Sequence, residues 1–155
     1  MIWEPKRTEI PNGSAGVWRG PCFDAVEILK HVVAAGWPEE LWPTAVSIPF
    51  AEVGLATTIT VDGKRLRPVL AWVNSIGDMD IVTPTWGPSF GLFQIRHDLT
   101  KPHPSLDPTE NAMRAYSLYK RQGFRAWSSW KNDKHRPFLP AAHRAIANHL
   151  EGVTP

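Results

Sequence analysis

A single carboxylate, Glu52, sits near the end of the apolar run Ala45–Leu55, with Ile48, Phe50, Ala51, Val53 and Leu55 as its neighbours. A carboxylate among apolar side chains loses hydration in its charged form, so its pKa rises. An acid that still holds its proton near neutral pH is what protonation of a glycosidic oxygen requires. Downstream runs Thr85-Trp86-Gly87-Pro88-Ser89-Phe90-Gly91-Leu92-Phe93-Gln94-Ile95. Gly91 leaves room for a backbone to approach a sugar ring. Ser89 and Gln94 offer donors and acceptors to hydroxyl and acetamido groups. The competing reading of Glu52 is a helix-end carboxylate paired with a base such as Arg67.

These residues need elements to hold them. Asp24 to Ala35 predicts a helix, with Val26, Leu29 and Val33 as its stripe, Ile28 and Val32 on the flank, and Gly36 as its stop. Pro38, Glu39 and Glu40 suit the start of a second helix through Leu41, Trp42, Val46 and Phe50 to Glu52. Pro49 should kink its last turn. Thr57 to Trp72 reads as a β-hairpin turning at Asp62-Gly63. Residues 74 to 91 read as loop. Asp107-Pro108-Thr109-Glu110 is the clearest helix start, with Ala112, Ala115, Tyr116 and Tyr119 as the stripe and Gly123 as the stop. A last helix, Phe138 to Leu150, turns Ala142, Ile146 and Leu150 inward, with Pro140 in its first turn. The predicted class is mainly α (α+β), about four helices plus a small β-hairpin. Residues 1–21 form an irregular arm, and 22–155 a single domain.

Composition bounds the partners. Hydrophobic residues make up 43% and charged residues 21% of 155, the balance of a globular chain. No apolar run is long enough to span a membrane, and Met1 to Gly20 has no secretory apolar core. The lone Cys22 excludes an internal disulfide. Six scattered His show no metal spacing, so neither metal nor cofactor is expected. Eight Trp provide core mass and, for two or three of them, a face for flat ligands or sugar rings. From Arg114 to Arg144 there are eight Lys or Arg against one acid, Asp133. Such a face suits an anionic polymer, either nucleic acid or a wall bearing peptide carboxylates.

Three blocks together resemble the lysozyme-like superfamily, in its soluble lytic transglycosylase and goose-type lysozyme branch, in the form found in actinobacteria and their phages. Ala45-Val46-Ser47-Ile48-Pro49-Phe50-Ala51-Glu52 is similar to the helix ending in the catalytic Glu. Gly87-Pro88-Ser89-Phe90-Gly91-Leu92-Phe93-Gln94-Ile95 is similar to the Ser-x-Gly-Leu-x-Gln-Ile loop. Asp107-Pro108, Asn111-Ala112, Tyr119, Gly123 and Trp127-Ser128-Ser129-Trp130 are similar to the closing helix and aromatic tail. The resemblance spans roughly residues 40 to 131. It departs after the Glu, where Val53-Gly54-Leu55 replaces the usual Ser-Gly-Gly, and it lacks the Ala-Tyr-Asn-Ala-Gly motif of the enterobacterial branch.

The resemblance implies cleavage of the β-1,4 bond between N-acetylmuramic acid and N-acetylglucosamine in peptidoglycan. Glu52 would be the catalytic acid. Asp78, with Gly77 before it, would be the second carboxylate of a hydrolase; Asp80 and Asp62 are weaker candidates. Ser89, Gly91, Gln94 and Tyr119 would bind substrate. The setting would be a phage virion tail or release to the host wall, with the glycan strand and other tail proteins as partners and no membrane span. The alternative is a structural virion or glycan-binding protein that kept the fold without the chemistry. Nucleic-acid binding through the 114–144 face is the least favoured, for want of a known motif.

Overall fold

The computed structural model describes residues 2–3, 16–55, 59–66 and 68–152. Thr57, Arg67, most of the 1–21 arm and the side chain of Trp3 lie outside the described residues.

Helix α1 (Ala25–Ala34) forms where predicted, because the Asp24 side chain accepts from Glu27 N at 3.0 Å and caps it. Its buried positions are Ala25, Ile28, Leu29 and Val32, while Val26 and Val33 are only partly buried, so the inward face is rotated from the predicted stripe. The chain then turns through Glu39–Leu41 into α2 (Trp42–Val53). Eight of its twelve residues are buried, Pro49 among them. A helix apolar on nearly every side belongs inside a fold, and α2 packs against α1, α5 (Leu139–Leu150) and the sheet.

That sheet corrects the expectation of a mainly α chain with one small hairpin. Five antiparallel strands lie in the order β1 (Ile2–Trp3), β2 (Val17–Phe23), β5 (Ala71–Gly77), β6 (Trp86–Phe90) and β7 (Ile95–Asp98). Residues 17–21, read as irregular, belong to β2, and much of the 74–91 loop is strand. Both segments carry a proline that obscures their period. The ladder shifts register around each, between Arg19 and Cys22 and between Trp86 and Ser89, where Pro21 and Pro88 have no N–H to donate. The predicted hairpin is the separate pair β3 (Ile59–Val61) and β4 (Lys64–Leu66). Its turn lies at Asp62-Gly63, both at positive φ. Residues 68–70 are not strand, and Ala71-Trp72 opens β5 instead.

Helix α3 (Pro108–Gln122) begins at Asp107, whose carboxylate accepts from Glu110 N at 3.0 Å, and stops at Gly123. Trp37 Nε1 donates to Ala112 O at 2.9 Å and ties α3 to the end of α1. A short helix, α4 (Ser128–Lys131), was not foreseen. In α5, Ala142 and Ile146 point inward but Leu150 is 58% exposed, because the final turn runs past the core. The described residues form an α+β fold of five helices and two antiparallel sheets around one apolar core.

Candidate active site

Glu52 lies in the last turn of α2 and is the helix's one ionisable residue. The helix leaves it at a cleft of about 430 Å3, between the ends of the central strands and α4. Gly54 pairs with Ala71, and Leu55 N donates to Leu70 O at 2.8 Å, so the exit of α2 is sewn to the start of β5. At the far end of β5, Gly77 pairs with Ser89 of β6. Asp78 follows Gly77 at once. The same cleft is therefore lined by Glu52, Asp78, Ser89 and Gln94.

Burial pushes Glu52 from an ordinary 4.5 up to about 7. The negative charge of Asp78 pushes the same way, and Lys134 opposes both. The C-terminal end of a helix is also the wrong end for a carboxylate. Glu52 is thus still about half protonated at neutral pH, in one cleft with an acid that is exposed to water. Ser89 is itself buried, and its Oγ donates to Asp78 Oδ2 at 2.6 Å, which sets the orientation of that carboxylate.

Asp78 and Gln94 are both left-handed, at φ 56 and φ 49. Non-glycine residues there cost on the order of 1 kcal/mol each. The Gln94 strain is held by bonds within the turn between β6 and β7. Its backbone N donates to Gly91 O at 3.0 Å, and its side-chain amide donates to the same oxygen at 3.0 Å. The Nε2 is thus committed inside the protein, and the Oε1 abuts Gly77.

The other two proposed substrate contacts lie elsewhere. Gly91, expected to let a sugar approach, is buried; a Cβ there would collide with Asn111. Asn111, fully buried, accepts from Phe93 N at 2.9 Å and donates to Phe90 O at 2.9 Å and Ser105 O at 3.0 Å. Gly91 therefore admits a protein side chain, and its role is to seat the turn. Tyr119 packs into an aromatic cluster with Trp37, Tyr116 and Phe124, away from the lining of the cleft. Asp62 is a hairpin-turn residue and Asp80 an exposed turn residue; neither lines the cleft. His97 binds Lys101 O through Nε2 at 3.1 Å and packs on Phe90.

Several lining residues escaped the reading of the sequence. Trp18, within the segment read as an irregular arm, forms a wall of the cleft, as do Arg96, Lys131 and Lys134. The Nε1 of Trp18 and the Oγ of Ser129 are buried without a hydrogen-bond partner among the described residues. Trp127 is a buried wall residue that donates to Phe93 O at 2.8 Å, while Trp130 is 37% exposed and packs on Phe124 and His135. The surplus of basic residues after Arg114 was the one signal for the lysines.

The arrangement offers a proton donor, an oriented carboxylate in the same cleft, and cations among its lining residues. No helix of the described residues is long and apolar enough to cross a membrane. No family model, curated protein or solved structure matches the chain.

Proposed function

We propose that this chain is a peptidoglycan muramidase of the lysozyme-like superfamily, in the lytic transglycosylase and goose-type lysozyme branch. The observation that carries the reading is Glu52, half-buried with its pKa pushed up to about 7, in one cleft with Asp78 and the Ser89 hydroxyl that orients it. The resemblance of the Glu52 and Ser89–Ile95 blocks supplies the substrate: the β-1,4 bond from N-acetylmuramic acid to N-acetylglucosamine.

Glu52 gives its proton to the bridging oxygen as the bond from that oxygen to the muramyl C1 breaks. In the transglycosylase route the resulting Glu52 carboxylate takes the proton of the muramyl 6-hydroxyl, which closes on C1 to form the 1,6-anhydro sugar. In the hydrolytic route Asp78 activates a water that adds to C1. The setting in this reading is a phage tail or a lysis protein acting on the host wall, in keeping with the resemblance of the Gly87–Ile95 loop to the form found in actinobacteria and their phages. Other tail proteins would then be partners.

Zymography on actinobacterial peptidoglycan tests the proposal, with wild type beside Glu52→Gln. Clearing by wild type alone supports it. Equal clearing by both removes Glu52 from the mechanism. Absence of clearing by either, with both folded, leaves the alternative of a structural or glycan-binding virion protein. Mass spectrometry of released muropeptides separates the two routes, since the anhydro product is lighter by one water.

A further inference from the structure

A second cleft of about 420 Å3 adjoins the first, and Arg96, Leu118 and Ala126 belong to the walls of both. Its own lining is strongly cationic: Arg96, Lys101, Arg114 and Arg121 stand against one carboxylate, Asp98. Asp98 is already engaged. It accepts from Thr100 N at 3.0 Å and Thr100 Oγ1 at 2.7 Å, and pairs with Lys101 at 4.0 Å. Arg96 is held by the carbonyls of Gly87 and Ile81 and lies over the Trp86 ring, 5.9 Å from its centroid.

Arg114 and Arg121 differ from these. They are seven residues apart on α3, two helical turns, so both face the cleft. Among the described residues neither side chain makes a hydrogen bond or an ion pair. Two unneutralised guanidiniums beside a cleft are matched to carboxylates or phosphates, which they bind as planar forks.

We infer that this second cleft is a subsite for the free carboxylates of the stem peptide carried by the muramyl residue, with Arg114 and Arg121 as its anion-binding groups. The inference rests on the reading of the first cleft as a glycan groove. The N-acetylated sugars of such a strand are uncharged, so its stem carboxylates are the anions that a continuous groove would meet. Trp86, 43% exposed at the same cleft, offers an apolar face to the stem's methyl and methylene groups.

Calorimetric titration of the full chain tests this with two probes: a muramyl disaccharide bearing a tetrapeptide with free carboxylates, and the same disaccharide without peptide, its lactyl carboxyl capped as the methylamide so that it carries no charge. Wild type should bind the peptide-bearing probe about tenfold more tightly, and Arg114→Gln/Arg121→Gln should lose that preference while binding the bare disaccharide unchanged. Both arginines are exposed and unbonded, so the double variant should melt with wild type. A wild type without preference overturns the inference, as does a variant that weakens both probes equally. Equal affinity for a short single-stranded oligonucleotide overturns it too, since the cleft would then be a general polyanion site. The zymogram reads the other proposal separately: no clearing, with the preference and its loss intact, sinks the lytic reading and leaves the subsite standing.

Discussion

Gln94 Oε1 occupies the volume that a side chain on Gly77 would need. One residue ends β5 just before Asp78, and the other closes the turn after Ser89, so their fit registers the two halves of the cleft against each other. Gly77→Ala must therefore displace either the Gln94 amide, which is bonded to Gly91 O, or the strand carrying Asp78. We expect a loss of about 1–3 kcal/mol, the usual range for overpacking, and clearing activity reduced at least tenfold. Thermal melts and zymography check it; a melt and a clearing zone equal to wild type would show that the contact matters to neither.

Glu52 makes stability depend on pH with a defined sign. Its folded pKa of about 7 lies above its ordinary 4.5, so between these values the folded state holds a proton that the unfolded state releases. The destabilisation is absent below pH 4.5, grows as pH rises, and is complete above pH 7 at roughly 3 kcal/mol. Glu52→Gln carries no such cost. Its melting temperature should match wild type near pH 4 and exceed it by several degrees at pH 8. A gap that is constant across this range would mean that Glu52 titrates normally.

The same group predicts the alkaline limb of the rate. A general acid acts while protonated, so kcat/KM should fall above about pH 7. Asp78→Asn removes one of the two causes that raise Glu52, and the limb should move to lower pH without reaching the ordinary carboxylate range, because burial is the larger cause. A limb that stays in place under Asp78→Asn would show that the two carboxyls do not interact.

Ser89→Ala deletes the 2.6 Å hydrogen bond to Asp78 and little else. A hydrogen bond to a charged group is worth about 1.5–3 kcal/mol. If Asp78 activates water, the hydrolytic rate should fall roughly ten- to hundred-fold, with the melting temperature changed by a few degrees at most. In the transglycosylase route Asp78 has no such task. Muropeptide analysis of the variant would then show undiminished anhydro product.

Asn111→Ala should be among the most damaging changes outside the cleft. It orphans the Phe93 N–H and the Phe90 carbonyl in the interior and the part-buried carbonyl of Ser105. Loss of about 2–5 kcal/mol is expected. Gly91→Ala should approach it, since the new methyl would strike Asn111 and sit at φ 79. Urea titration of both variants measures this, and a midpoint shift under 0.5 M for Asn111→Ala would refute the stapling role (about 1 kcal/mol at the usual slope).

What the sequence determined by itself was local. Asp24 and Asp107 cap their helices because a short side-chain oxygen reaches an N–H three residues on, and no distant contact is needed. Asp62-Gly63 turns the hairpin because both residues tolerate positive φ. Glu52 could be singled out because its flanks are apolar along the chain itself. The sheet was decided only in three dimensions. Val17–Phe23 and Trp86–Phe90 carry Gly and Pro and read as loop, yet they pair across β5 because partners far along the chain supply the ladder. That pairing alone sets Asp78 beside Ser89. It also gives Gly91 to Asn111 rather than to a ligand, and turns Tyr119 toward Trp37. Residue type shows what a side chain can do; which neighbour it meets depends on long-range packing, and the sequence carries no local trace of that.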